Sequence, residues 1–528
     1  VRTNSSPANT DRIAALRVHP GRGVFALVVC LAAIVVVYAP VLRFGLVAED
    51  FQFALKGAKI AEHPLELFWP FQLVWRPGVY ALFAVLAWAA GPLAIWYRVA
   101  QLAAGLALTA SGWLFLRRAG RLGPWVAAAT VLVWLLSPLA NEPLCGEASF
   151  VGHLAFGAST LLALWLHAGA PSRVRRTGVA LTVLVAAACN EEWVVVPSML
   201  VVQNLALHGR TLRQALWDAR WWVAAVGAYL AAYAAITHFA YAGIYRLGVA
   251  PAAAKVVATL MSFMQLSAPA TGSFEAVVGN EPWQAGAAVL VFGAMVVFAV
   301  RRRLRRPLLL FACSALAALP TLTIGSQTAR WTFLPWFFFL GGVVVWLRES
   351  AAAVWQMWPL RVCGAALLLL LAGAGGVTTR RDVADWGRFA RLTATLENQL
   401  RPLLVEGAKG RWLEVLRSDD SRSWKNLVST PEGQAKQYFP RPDDPYGIVS
   451  LSALLSWQSY RNGWVLEREE SLPAGAPAVA FVHVEGGFRR LAAVPRLQVR
   501  HPLHPHSGVA GVILRPRPWA EFAPREFP

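Results

Sequence analysis

Apolar residues fill the first 378 positions in blocks of about twenty, separated by short polar connectors, without the strict alternation of a half-buried strand. A helix needs about 20 mostly apolar residues to cross a bilayer. That length predicts about 11 spans, near residues 23–42, 95–116, 124–140, 149–168, 177–190, 193–208, 221–240, 283–300, 308–325, 331–347 and 361–378. Two more apolar stretches, 77–91 after Arg76-Pro77 and 252–270 after Tyr245-Arg246, are expected at the outer face as juxtamembrane or re-entrant helices. Asn190-Glu191-Glu192 interrupts what would otherwise be one long helix and predicts an outward turn.

Charge gives these spans a direction. Arg117, Arg118 and Arg121, then Arg173, Arg175 and Arg176, then Arg210, Arg213 and Arg220, then Arg301 to Arg303 with Arg305 and Arg306, and finally Arg348 and Arg361 all fall on one side of the predicted bundle. Arginine collects in cytoplasmic loops, so that side is inside. Arg2, Arg12, Arg17 and Arg22 precede the first span and place the N-terminus inside as well; its apolar run is too long for a signal-peptide core, so it reads as a retained first helix.

From about residue 379 long apolar runs cease and charges of both signs appear. Trp386 to Leu404 has helical periodicity, while Ala478 to Val484 and Val509 to Leu514 resemble short strands. The predicted fold is an all-α polytopic membrane protein with a small C-terminal α+β soluble domain on the outer side. Its segments are a cytoplasmic tail over 1–22, a membrane domain over 23–378 with an outer loop at 43–94, and the soluble domain over 379–528. No internal repeat is evident.

Composition narrows the class further. At 57% hydrophobic and 15% charged residues the chain is far more apolar than soluble proteins, of which about a quarter is charged. The net charge of +20 lies largely in those inter-span arginines and presents no soluble basic face, so nucleic acid is excluded as a partner. Cys30, Cys145, Cys189, Cys313 and Cys363 form no CxxC pair and read as packing residues. His501, His504 and His506 are interrupted by proline and lack the spacing that aims two imidazoles at one metal ion.

The chemistry-bearing candidates gather on the outer side. Glu49-Asp50 stands just beyond the first span, and a charge costs roughly 2.5–3.5 kcal/mol at the bilayer centre, so such acids sit in water or line an enclosed cavity. Glu142 and Glu147 lie at the outer end of span three, Glu192 follows span five, and Arg330 stands alone where span ten opens. Arg76, Arg246 and Lys56 are further outer cations, and His153 falls within span four.

Several motifs in order resemble the GT-C superfamily of polyprenyl-phosphate-sugar-dependent glycosyltransferases, particularly its protein O-mannosyltransferase-like branch. They are Glu49-Asp50-Phe51 after helix one, Trp75-Arg76-Pro77 entering a juxtamembrane helix, and Tyr97-Arg98 leading into span two. Ser137-Pro138 with Asn141-Glu142 and Glu147, then Asn190-Glu191-Glu192 before Pro197, and Arg330-Trp331-Thr332-Phe333-Leu334-Pro335 complete the series. The resemblance covers residues 23–378 and departs from the branch at Glu191-Glu192, where a Lys-Glu pair is commonly expected.

The resemblance implies an inverting transfer of a sugar from a polyprenyl-phosphate donor to a protein, lipid or glycan hydroxyl. Asp50 is the expected general base, with Glu49 positioning the acceptor or a divalent metal ion held by Glu49 and Asp50 if one is used. Arg330 is the leading ligand for the departing phosphate, because guanidinium forks to two phosphate oxygens. Arg76, Arg246 and Lys56 are secondary cations, and Glu142, Glu147, Glu192 and His153 are expected to line the same cavity. The expected location is a bacterial inner membrane with the C-terminal domain in the periplasm. A transporter or lipid flippase is the rival from another class; a glycan ligase or polymerase is the rival among enzymes.

Overall fold

The computed structural model describes residues 20–47, 49–69, 75–91, 93–170, 172–237, 249–264, 278–279, 281–322, 329–350, 358–416, 454–460, 462–469, 471–484, 487–494 and 511–521. Arg246, the histidines 501, 504 and 506, and Val509 lie outside the described residues.

The helices run in order α1 (Pro20–Tyr38), α2 (Asp50–Glu62), α3 (Pro77–Ala90), α4 (Ala94–Arg118), α5 (Pro124–Leu135), α6 (Glu142–Cys145), α7 (Val151–His167), α8 (Arg173–Cys189), α9 (Val196–Leu207), α10 (Leu212–Thr237), α11 (Val249–Phe263), α12 (Pro282–Arg301), α13 (Arg305–Leu322), α14 (Ala329–Ser350), α15 (Trp358–Gln399) and α16 (Arg401–Ala408). Proline opens α3, α5 and α12, where its missing N–H is no loss and its fixed φ suits the first turn. Among the described residues six segments are long and apolar enough to cross a membrane: Gly21–Arg43, Ala94–Arg118, Ala148–His167, Pro282–Arg301, Arg330–Ser350 and Val362–Gln399. The chain is a predominantly helical integral membrane protein. Helices α3 and α11, of 14 and 15 residues, rise about 21–22 Å, short of a hydrocarbon core about 30 Å thick.

Helix α4 packs on α7, α7 on α8, and α13 on α14, while α5 touches α1, α14 and α15. The Trp134 indole N–H on α5 donates to the Phe333 carbonyl at 2.6 Å, and its ring stands 4.4 Å from that of Phe337, joining α5 to α14 in the aromatic centre of the bundle. Span three, expected over 124–140, is helical only to Leu135; Pro138 cannot donate to the helix ladder, and the chain turns there into a buried loop. That loop holds Asn141, α6, Glu147 and a short 3-10 turn at Ala148–Phe150.

At one end of the bundle the arginines bond carbonyls at helix ends and in the turn after α4: Arg117 to Leu122 at 2.7 Å, Arg118 to Trp165 at 2.9 Å, and Arg348 to Arg121. Arg306 pairs with Glu349 at 3.2 Å in the same region. Helix α4 carries Arg117 and Arg118 in its last turn and Arg98 near its start.

Helix α15 runs 42 residues without a break, so the expected domain start at 379 falls inside a helix. Beyond α16 lies a five-stranded sheet of order β2-β5-β1-β3-β4, formed by β1 (Trp412–Leu416), β2 (Trp464–Glu469), β3 (Ala478–Val484), β4 (Gly487–Arg490) and β5 (Gly511–Pro518). Only the β1 and β3 pair is parallel. Leu403 of α16 and Leu454, Leu455 and Trp457 of a short helix over 454–460 pack with Leu413, Val415 and Phe481 of the sheet. The sheet rests on α2: Trp519 donates its indole N–H to Glu62, and the Lys59 ammonium lies 5.6 Å from the Trp519 ring.

Candidate active site

Asp50 opens α2 and is wholly buried. Its Oδ1 accepts the Ser149 N–H at 2.8 Å, its Oδ2 accepts the Val47 N–H at 3.1 Å, and Arg98 Nη2 stands 3.4 Å from Oδ2. Burial raises the Asp50 carboxyl above its usual range, against the downward pull of Arg98 and the backbone donors. Arg98 is equally buried and donates to the Gly45 carbonyl at 2.8 Å, the Gly146 carbonyl at 2.5 Å and Gln101 Oε1 at 3.0 Å. Gln101, three residues on and therefore on the same helix face, donates to the Pro143 and Glu147 carbonyls, both at 2.8 Å. The first turns of α4 thus fasten the segment after α1 to the loop after α5.

Glu147 connects the two acids of the α2 start. Its Oε2 accepts the Glu49 N–H at 3.1 Å, and the Ser149 hydroxyl lies 3.4 Å from the same oxygen. Burial pushes the Glu147 carboxyl well above the usual range; the charges of Glu49 and Asp50 add to the rise, and Arg330 opposes it. Glu49 itself is half-buried, does not cap α2, and its carboxylate has no hydrogen bond or ion pair among the described residues.

Arg330 begins α14. Its backbone N–H donates to Glu142 Oε2 at 2.9 Å, and its guanidinium lies 5.1 Å from the Phe150 ring and 5.6 Å from Trp331. Its positive charge acts on Glu147, Glu191 and Glu192 alike. Arg76 forms a two-pronged bridge to Glu191, at 2.7 and 2.9 Å. Although burial raises Glu191, the Arg76 pair holds its carboxyl below the usual range. Glu192 is pushed up to about 8 by burial and by Glu191. His153 Nδ1 meets the Asn190 side-chain amide at 2.8 Å and lies 3.8 Å from Glu192 Oε1.

Glu49, Asp50, Glu142, Glu147, Glu192, Arg330, Arg76 and His153 are therefore brought to one end of the bundle, around Arg330. Lys56, on the helix that Asp50 opens, has no hydrogen bond or ion pair to this group among the described residues and pairs with Glu66 at 3.2 Å. Arg98, Gln101, Asn190 and Glu191 belong to the assembly without having been singled out for roles from sequence. The signal for two of them was a buried-face Arg and Gln three residues apart at the start of a span. Among the described residues no group of three or more His, Cys, Asp or Glu side chains is arranged to hold a metal ion. No protein-family model matches the chain, and no curated protein matches it in sequence.

Proposed function

We propose that the protein is a GT-C-type membrane glycosyltransferase that moves a sugar from a polyprenyl-phosphate donor to an acceptor hydroxyl, with inversion, at the end of the bundle that carries the acids. The observation that supports this is Arg330, a cation at a helix start whose backbone N–H is held by Glu142 and whose charge acts on Glu147, Glu191 and Glu192, with Glu147 in turn bonded to the Glu49 N–H. Transfer needs an accessible base for the hydroxyl proton and a cation for the departing phosphate, and this assembly offers both.

The roles within the acidic pair are reversed from the expectation. Asp50 is sealed from solvent and saturated by two backbone donors and Arg98, which suits an anchor. Glu49 keeps a half-buried carboxylate with no hydrogen bond or ion pair among the described residues and is the proposed base. It takes the acceptor proton as that oxygen bonds the anomeric carbon; the anomeric carbon–phosphate oxygen bond breaks with its electron pair, and polyprenyl phosphate leaves toward Arg330. Arg76 joins it only by exchanging one prong of its bridge to Glu191. Confinement of the donor to the membrane plane supplies much of the positioning. In this proposal the shorter helices complete about 11 crossings, and in a bacterium the acids and the sheet face the periplasm.

The test is incubation of purified protein with a panel of polyprenyl-phosphate sugars and acceptor hydroxyls, reading released polyprenyl phosphate. Wild type releases it, and Glu49→Gln loses turnover with an unchanged melting temperature. Asp50→Asn removes the counter-charge of the buried Arg98, which keeps its carbonyl acceptors, and is expected to lower stability by about 3–5 kcal/mol. Wild-type turnover in Glu49→Gln would remove the base assignment. Donor movement across reconstituted vesicles without release would favour the flippase class instead.

A further inference from the structure

The loop that carries Glu142 and Glu147 is gripped from behind by α15. Asn141, itself buried, donates its side-chain amide to Asp382 Oδ2 at 2.5 Å and lies 3.5 Å from Thr379 Oγ1. Thr379 donates in turn to the Leu136 carbonyl at 2.8 Å. One turn earlier α15 touches the same carbonyl at Gly375, where a Cβ would come within 2.6 Å of the oxygen. One turn later the Trp386 ring lies against Gly146, close enough to meet an added Cβ there at 3.1 Å. Positions 375, 379, 382 and 386 follow the four-three-four spacing of a single helix face. That face is turned to residues 136–146.

We infer that Asp382 is a positioning residue for the acid site. By holding Asn141 it sets the loop register in which Glu142 accepts the Arg330 N–H and Glu147 accepts the Glu49 N–H. Because α15 continues through α16 into the sheet, the same contact couples the site to the C-terminal unit. Asp382 meets the loop through Asn141 and takes no part in bond making. The inference rests on the transfer reading for its catalytic consequence, but not for its structural one.

Two readouts separate these. Hydrogen exchange over residues 136–150 and transfer kinetics are measured on wild type, Asp382→Ala and Asp382→Asn. Asp382→Ala should speed exchange in that peptide and lower kcat roughly ten- to hundredfold with donor KM little changed, as expected of a misplaced catalytic group. Asp382→Asn keeps an acceptor oxygen for Asn141 and should restore both. Unchanged loop exchange in Asp382→Ala, or no rescue by Asp382→Asn, overturns the role. If Asp382→Ala does not purify folded, Thr379→Val removes the neighbouring tie and is read by the same outcomes. A wild type inactive on every donor defeats the transfer reading while the exchange measurement still decides the positioning one.

Discussion

Glu192 lies 3.8 Å from His153 and beside a second carboxylate, Glu191, whose own charge is taken up by Arg76. Its carboxyl, pushed up to about 8, holds a proton in the folded protein over a range where an unfolded glutamate, titrating near ~4.3, has released it. Protonation therefore favours the folded state: the contribution is fully present below ~4.3 and is lost as pH rises through about 8. Thermal unfolding in detergent should show stability falling between these values, by at most about 1.4 kcal/mol per pH unit from this group, and Glu192→Gln should flatten the slope. Equal slopes in the two proteins would sink the assignment. At this scale the sequence was most informative about acids and cations next to apolar runs, since a charge there has few tolerable surroundings: Glu49, Glu142, Glu147 and Arg330 all converge. It was silent on which acid is sealed. Asp50 and Glu49 are adjacent and alike in composition, and only the arrival of Arg98 and Ser149 from distant segments distinguishes them. Arg98 itself is satisfied mainly by the carbonyls of Gly45 and Gly146, which no side-chain pattern announces.

Helix α2 meets α3 at Gly57, where an added Cβ would lie 2.6 Å from the Phe83 carbonyl carbon and oxygen and 2.9 Å from the Ala84 nitrogen. Backbone cannot yield as a flexible side chain does, so the helices must part. Gly57→Ala is expected to destabilise by about 1–3 kcal/mol and, because Asp50 opens the same helix, to lower transfer as well. Thermal melting reads the first effect, and a melting temperature at or above wild type would show that the contact is not a tight one. Helix positions were largely legible because apolar blocks of span length have few alternatives. Helix ends were less so: hydropathy marks where a helix leaves lipid, not where it stops. The polar run after Val377 ends the apolar block, yet contains no proline or glycine until Gly387, and α15 continues to Gln399. In span three Pro138 has the opposite effect, ending the helix while the surroundings stay buried, and the loop thereby released carries Glu142 and Glu147.

Among the described residues the acids of the candidate site gather at one end of the helices and a cluster of arginines at the other. On α4, Arg98 and Arg117 are roughly 28 Å apart at about 1.5 Å per residue, close to the ~30 Å hydrocarbon thickness. Arg98 is bound into the acid assembly, whereas Arg117, Arg118 and Arg348 bond carbonyls at the other end. The sheet docks on α2 through Trp519 and Glu62, beside Lys59, at the far end of the helix that Asp50 opens, and in the proposed orientation it lies on the side of the acids. The gathering of arginines at one end was legible from their clustering between apolar blocks, the pattern from which a cytoplasmic side is expected in a membrane chain. The docking was not, since a sheet joined to α2 by one tryptophan leaves no periodic trace. These two features predict opposite exposure for two exposed positions, Arg302 in the turn after α12 and Ala520 beside Trp519. In a Cys363→Ser background, which removes the exposed thiol and leaves the four buried ones, Arg302→Cys and Ala520→Cys are each treated with a membrane-impermeant maleimide on sealed, uniformly oriented vesicles. One should react at once and the other only after the membrane is opened. Reaction of both from the same side would mean that the acids and the arginines do not lie across a bilayer from each other, and the proposed placement of the transfer site would fall with it.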